Sequence, residues 1–357
     1  MGLDSVLILP MARPGHREAV ASADQRMEMC RLAIEGQEGL LLSSAGIMGS
    51  VRYTSDTLDI LRREYPDASF SFILGADKLP TLPYWHEADR LFTLCDFLCF
   101  ARPGIMEEEA LEKAQQAGAK VRMLPAPQLP YSSTMIRHQI SKFEDAAGVP
   151  EKVLYYIAEN GLYLPDYLPK LKTMMNPRRF KHTLGVRREA VRLARMHGLP
   201  LMKAAVAGLL HDCAKGMPLP AMARIARENQ LVEDEEMMSS GAMLHGPVGA
   251  QVAREKFGIR DEEILRAIHG HTIGRPGMSL LEMCIFVADV TEEGRESYEG
   301  LDKMRRLSDV SLPAAALLSI RHTQAYVEKS GRPFFAAARE TANYLENMLS
   351  EQERSWL

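Results

Sequence analysis

The sequence predicts an α/β domain with a doubly wound parallel sheet, followed by a domain of helices alone. Three observations predict it. The chain has 357 residues, too many for one typical domain. Residues 1–130 alternate short apolar runs with helical stretches. From Pro177 onward only helical patterns remain.

The expected strands are 5–10 (SVLILP), 40–44 (LLLSS), 69–74 (SFSFIL), 96–101 (DFLCFA) and 120–124 (KVRML). Each is short, rich in β-formers and bounded by Gly or Pro. Helices are expected between them at 24–35, 56–65 and 107–117. That alternation predicts a parallel sheet with helices on both faces. Further helices are expected at 132–143 and at 151–159, the latter stopped by Asn160-Gly161. Segment 162–171 (LYLPDYLPKL) carries two prolines and reads as a linker. Asn176-Pro177 opens the next helix, with Asn as N-cap and Pro in the first turn. Ser279-Leu-Leu-Glu282 fits a capping box. The expected division is residues 1–161, a linker at 162–175, and a helical domain at 176–350.

Composition excludes several classes. Apolar residues are 46% and charged residues 25%, as in folded globular chains. With 43 basic and 47 acidic residues the net charge is −4, which disfavours general nucleic-acid binding. No apolar run approaches bilayer length and no signal peptide opens the chain, so a membrane role is not expected. The five scattered cysteines fit a reducing cytoplasm rather than a disulfide framework. Cys95 and Cys99 read as buried strand residues, and most of the 21 methionines as core filler.

The helical half carries the strongest chemical signal. His182, His211-Asp212, His245, His271 and Asp289 are separated by 29, 34, 26 and 18 residues, so each comes from a different helix or helix end. Facing helices of a bundle build metal sites in this way. Imidazole with carboxylate suits iron, manganese or zinc, and the lack of thiolates argues against a structural zinc site. The surrounding words are Arg179-Phe-Lys-His182-Thr, Leu209-Leu-His211-Asp212-Cys-Ala-Lys215, Leu244-His245-Gly-Pro-Val-Gly-Ala, His271-Thr-Ile-Gly-Arg275-Pro-Gly-Met, and Ala288-Asp289 followed by Gly294-Arg295.

With these words, residues 176–350 resemble the HD-domain symmetrical diadenosine tetraphosphatases. The resemblance implies a bimetal centre, iron above all, that hydrolyses diadenosine tetraphosphate to two ADP. By position it implies that His182, His211, Asp212 and Asp289 hold one ion. Asp212, His245 and His271 would hold the second. His269, two residues before His271, should face elsewhere on a helix. Lys215, Arg275 and Arg295 are the candidates for neutralising phosphate charge. Gly274 and Gly277 would give the Arg275 loop close backbone approach to a phosphate.

The sheet half carries a second set of phrases. They are 7–17 (LILPMARPGHR, with His16 and Arg17), 23–32 (ADQRMEMCRL), Tyr53-Thr54-x-Asp56-Thr57-Leu58, Gly75-Ala76-Asp77-x-Leu79 with Trp85, and Ser132-Ser133-Thr134-Met-Ile-Arg137. Ser132–Thr134 sit where a helix begins, so free N–H groups and hydroxyls could receive phosphate there. Arg137 would add a fork of donors. Trp85 could stack on a pyridine ring or simply pack in the core.

These phrases resemble nicotinate-nucleotide adenylyltransferases, which join nicotinate mononucleotide to AMP in NAD biosynthesis. The resemblance implies a Rossmann-like nucleotidyltransferase sheet. It also implies nucleotide contacts by His16, Arg17, Tyr53, Thr54, Gly75, Asp77, Trp85, Ser132, Ser133, Thr134 and Arg137. That family opens on a glycine-rich strand-turn with His-x-Gly-His, and this sequence contains no such motif. The first strand, its phosphate loop and the first helix are therefore expected to be missing, and adenylyl transfer to be inactive as written. A start placed too far downstream, a shortened chain and a decayed domain each explain this.

The leading expectation is thus a cytoplasmic bacterial fusion protein acting on small nucleotides, with two divalent ions and a homodimer as a candidate assembly. Two alternatives stand beside it. The helical half could hydrolyse another nucleotide, and the sheet half could be a non-catalytic nucleotide-binding or interaction module.

Overall fold

The computed structural model describes residues 2–11, 20–47, 53–100, 107–125, 129–232, 234–331 and 334–357. The chain divides into two compact units, Met1–Ser132 and Ser133–Leu357.

The first unit runs β1 (Val6–Ile8), α1 (Ala23–Ile34), β2 (Leu40–Leu42), α2 (Thr54–Glu64), β3 (Ser71–Gly75), α3 (Ala88–Leu94), β4 (Asp96–Phe100), α4 (Glu107–Gln116) and β5 (Val121–Leu124). All five expected strands form, each somewhat shorter than its apolar run. Helix α1 starts at a capping box: the Gln25 N–H donates to Ser22 Oγ, and Gln25 Oε1 accepts from the Ser22 N–H. The pattern did not suggest α3 or the 3₁₀ turns at Ala76–Tyr84. Pro80 and Pro83 interrupt that stretch and remove amide donors, which favours tight turns over an α-helix.

The strands do not join into one sheet. β1 pairs in parallel with β2, while β3, β4 and β5 form a separate parallel sheet in that order. In the strand order of a doubly wound sheet, a further strand belongs between the equivalents of β1 and β3. The two pieces still share one core. Leu58, Leu61, Leu74, Leu79, Leu91 and Phe97 are buried together, with Leu7 and Leu9 packed against them. Cys99 is buried on β4, and Cys95 is buried one residue before that strand.

The second unit is helical: α5 (Ser133–Ser141), α6 (Glu151–Asn160), α7 (Leu168–Met174), α8 (Pro177–Met196), α9 (Leu201–Leu210), α10 (Leu219–Glu228), α11 (Glu235–Met238), α12 (Gly241–Lys256), α13 (Glu262–Gly270), α14 (Leu280–Thr291), α15 (Leu301–Ser308), α16 (Leu312–Lys329), α17 (Ala336–Met348) and α18 (Glu351–Trp356). Helices α9 (LMKAAVAGLL) and α14 (LLEMCIFVADVT) are apolar almost all round, so both run through the interior. Helix α8 packs on both, and α13 packs on α9, α12 and α14. A Cβ at Gly208 would lie 3.1 Å from Ala190 Cβ, so glycine lets α8 and α9 approach closely.

The unit boundary precedes the 162–175 segment that the prolines suggest as a linker. The carboxylate of Asp145 accepts the backbone N–H groups of Leu201 and Met202 at 2.9 and 3.0 Å, capping α9. Helix α6 packs on α8 and α9. Leu171 of α7 is fully buried. These contacts attach residues 145–174 to the helical unit. Among the described residues no helix is long and apolar enough to cross a membrane.

Candidate metal centre

Three histidines are aimed by the backbone of their own helices. His211 and His271 stand just past the ends of α9 and α13. Their Nδ1–H groups donate back three residues, to Gly208 O at 2.8 Å and Ile268 O at 2.7 Å. His245, in α12, donates to Gly241 O at 3.1 Å. A carbonyl only accepts, so each Nδ1 carries a proton, and in the neutral ring each Nε2 keeps a lone pair. A neighbouring detail locks α12 to the turn bearing His271. Pro247 lacks an N–H, and the Met243 carbonyl it would have served accepts from Thr272 Oγ1 at 3.2 Å.

The three lone pairs converge on one carboxylate oxygen. Asp212 Oδ1 lies 3.6 Å from His211 Nε2, 3.2 Å from His245 Nε2 and 3.5 Å from His271 Nε2. His245 Nε2 and His271 Nε2 are 3.1 Å apart. With the rings neutral, all of these are acceptors. His211 Nε2 and Asp212 Oδ1 are buried and without a hydrogen-bond partner, at a cost of about 1–3 kcal/mol each. A proton can serve one such contact, whereas a multivalent cation serves all of them.

A second focus adjoins the first. His182 Nε2 is 2.8 Å from Asp289 Oδ1, which is itself 3.6 Å from His211 Nε2. Three overlapping sets have ligand atoms mutually within 4.8 Å: His182, His211 and Asp212; His211, His271 and Asp289; and Asp212, His245 and His271. The structure therefore brings together all six residues that the sequence suggests as ligands.

The electrostatics of this focus are strong. With no cation bound, burial alone would raise the Asp212 carboxyl, but His211, His245 and His271, when they carry protons in the cation's place, outweigh it and hold it far below the usual carboxylate range. Burial is likewise outweighed at Asp289 by His182, His211 and Arg295. For His182, burial opposes the charged form, yet Asp289 and Glu292 raise its pKa. Burial lowers that of His245.

The basic candidates separate. Lys215 Nζ lies 3.0 Å from Asp212 Oδ2. Arg295 donates to Asp289 Oδ1 at 2.5 Å and to the Asp289 carbonyl at 2.6 Å. Arg275 instead grips buried Glu282 through two 2.9 Å bonds, with Nη1 on Pro276 O. Gly274 and Gly277 do have positive φ, but a Cβ at Gly274 would lie 2.7 Å from Thr341 Cγ2, so packing requires that glycine. His269 belongs to none of the clustered sets, among the described residues.

In the sheet unit, Tyr53 stacks on His86 with centroids 3.7 Å apart. The Tyr53 N–H donates to Asp56 Oδ2, and Thr54 opens α2. Gly75 ends β3, and Asp77 begins the turns after it. Trp85 packs edge-on against Phe72 and donates from Nε1 to Thr81 Oγ1 at 3.3 Å. Ser132 is exposed at the unit boundary, and Ser133, Thr134 and Arg137 are exposed on α5. His16 and Arg17 lie outside the described residues.

Comparison with known proteins gives the same two parts. A cytidylyltransferase-like family model matches residues 1–139, and an HD-domain model matches residues 179–294. A Mycoplasma genitalium protein named as a probable nicotinate-nucleotide adenylyltransferase/Ap4A hydrolase is 31% identical over 313 residues, covering 86% of this chain and 85% of that protein. The chain belongs to this family of adenylyltransferase/Ap4A hydrolase fusions. Its helical half is 38% identical over 181 residues to the symmetrical bis(5'-nucleosyl)-tetraphosphatase of Bacillus subtilis, covering 96% of that protein. A solved structure of an HD superfamily hydrolase from Clostridium acetobutylicum covers 51% of this chain with 38% identity and a TM-score of 0.50.

The six converging side chains thus lie in an HD domain, a family that binds divalent metals. Residue-by-residue reading missed Glu292. Its Oε1 is 3.0 Å from His182 Nδ1, and its Oε2 accepts the Gly294 N–H at 2.6 Å. It is 3% exposed, and a Cβ at Gly185 would fall 2.2 Å from its Oε2. The available signal was its place three residues after Asp289, on the same helix face.

Proposed function

We propose that the helical unit hydrolyses diadenosine tetraphosphate symmetrically to two ADP, at a centre of two divalent ions. His182, His211, Asp212 and Asp289 hold one ion. Asp212, His245 and His271 hold the other, with Asp212 shared. Iron is our first choice, and manganese or zinc would accept the same donors. One observation carries this reading: three backbone-oriented Nε2 lone pairs and a carboxylate oxygen crowd one buried point.

When bound, such a pair of ions supplies charge neutralisation at phosphoryl oxygens and an activated water. The chain's own residues do the rest. Glu292 holds the His182 ring through Nδ1, leaving Nε2 for the ion. Lys215 and Arg295 border the two carboxylates and present positive charge to a polyphosphate bridge. Arg275, tied to Glu282, stabilises the turn after His271 and takes no phosphate role in this reading.

For the sheet unit we propose nucleotide binding through Tyr53, Thr54, Gly75, Asp77 and Trp85; Ser133, Thr134 and Arg137, at the start of the second unit, are proposed by themselves as phosphate-receiving residues. The absent His-x-Gly-His motif leaves adenylyl transfer outside this proposal.

Incubating the metal-replete protein with diadenosine tetraphosphate and separating the products tests the hydrolase reading. ADP as the sole product is expected. ATP plus AMP would contradict symmetric cleavage, and turnover of nucleoside monophosphates alone would move the domain to another substrate class.

A further inference from the structure

A groove of about 760 Å³ opens beside the centre, lined by His182, Glu292 and Arg295, by Arg178, Lys181 and Arg188, by the carboxylates Glu293 and Glu296, and by Tyr298. That volume is in the range of sites that enclose a small ligand. Its charge is uneven in a telling way. Arg178 is paired with Glu296 at 2.7 Å, and Arg295 with Asp289. Lys181 and Arg188 have no ion-pair partner among the described residues. Arg178, Lys181, Gly185 and Arg188 follow a three, four, three spacing along α8, so they share one face. Seven residues separate Lys181 from Arg188, about 10 Å along the helix axis. Gly185 between them carries no side chain, and the buried Glu292 carboxylate occupies that space.

Lys181 and Arg188 outnumber the one lining carboxylate without an ion pair among the described residues, Glu293, so the free charge of a groove that begins at a candidate phosphate-cleaving centre favours an anion. The groove also has an aromatic side. The Tyr298 ring is backed by His322, with centroids 5.0 Å apart and planes 29° apart. A braced ring of this kind can support a base by stacking.

We propose that this groove receives one nucleoside diphosphate half of the substrate, with Lys181 and Arg188 holding its phosphates and Tyr298 facing its base. The proposal rests on the hydrolase reading for the identity of the ligand. It adds a reason for the enzyme to prefer a long polyphosphate bridge: phosphates beyond the scissile bond gain contacts that a nucleoside monophosphate cannot reach.

Calorimetry on the full chain, using ADP and inorganic pyrophosphate as probes, tests it. Lys181→Ala with Arg188→Ala should weaken both probes roughly tenfold or more, as loss of charge-assisted contacts requires. Arg188→Lys should recover part of that affinity. Tyr298→Ala should weaken ADP and leave pyrophosphate unchanged, while Tyr298→Phe keeps ADP. Metal content, read by emission spectrometry, should match wild type in every variant. Unchanged ADP affinity in the double variant would overturn the proposal, as would loss of its metal. Wild type that binds ADP through these residues yet leaves diadenosine tetraphosphate intact would retire the hydrolase reading and keep the groove. Wild type that cleaves the tetraphosphate while the double variant binds ADP equally would do the reverse.

Discussion

The helical and sheet units position their candidate residues by different means. In the helical unit His211, His245 and His271 are each aimed by a carbonyl of the preceding turn, and His182 by the buried Glu292 carboxylate. In the sheet unit Tyr53 is 45% exposed, and Ser133, Thr134 and Arg137, which carry the last of the second set of phrases at the start of the helical unit, likewise stand in solvent. The first arrangement is held before any ligand arrives and is strained by mutual crowding of acceptors. The second is left to be ordered by what binds. A centre of the first kind should fail abruptly when one member is removed, and a surface of the second kind should fail gradually.

Asp212→Ala is the most severe test. It removes the oxygen shared by three imidazoles, so metal and tetraphosphate hydrolysis should fall together, by more than the ~10–100-fold typical of supporting residues. Metal content that survives this change would break the contrast. Glu292→Ala should cost about 10–100-fold in metal affinity, read by competition with a chelator, because it frees the His182 ring while leaving every proposed ligand present.

Acidity sharpens the same contrast. Asp212 and Asp289 ionise more readily in the folded chain than in the unfolded one. They therefore stabilise the metal-free fold above the ordinary carboxylate pKa of about 4, and that contribution is lost as pH falls through the lower folded values. Thermal melts of metal-free protein should show a steeper acid loss for wild type than for Asp289→Asn. Gly185→Ala should destabilise the protein by about 1–3 kcal/mol, because its Cβ would overlap Glu292. Ser133→Ala should shift stability by no more than about 0.5 kcal/mol and leave metal and hydrolysis unchanged. Calorimetry with ATP and nicotinate mononucleotide should detect its effect on the second set of phrases alone.

What was legible in the sequence followed from how local its cause is. The strands were readable because each is a short β-forming run closed by Gly, Pro or polar residues. The break between β1 and β3 is a property of pairing, which a period-two pattern does not encode. The six proposed ligands were readable because specific words surround them, although their convergence is tertiary. Glu292 lies beside Glu293 with no ligand word of its own, and only the missing side chain at Gly185 reveals the space that buries it. The partner of Arg275 was hidden for a related reason. Glu282 was read as the capping-box residue of α14, which it is, but the same buried carboxylate also binds Arg275. The linker expectation rested on composition: prolines at 165 and 169 suggest an open segment, and Pro169 sits in the first turn of α7.

The central claim is that imidazoles and carboxylates of four or more helices share a pair of cations. Anomalous diffraction from crystals of the metal-replete protein, collected at the absorption edge of the bound element, tests it most directly. We expect two peaks flanking Asp212, one within bonding distance of His182 and Asp289 and the other of His245 and His271. Density without an anomalous peak at Asp212, or a single ion seated away from it, would contradict the account.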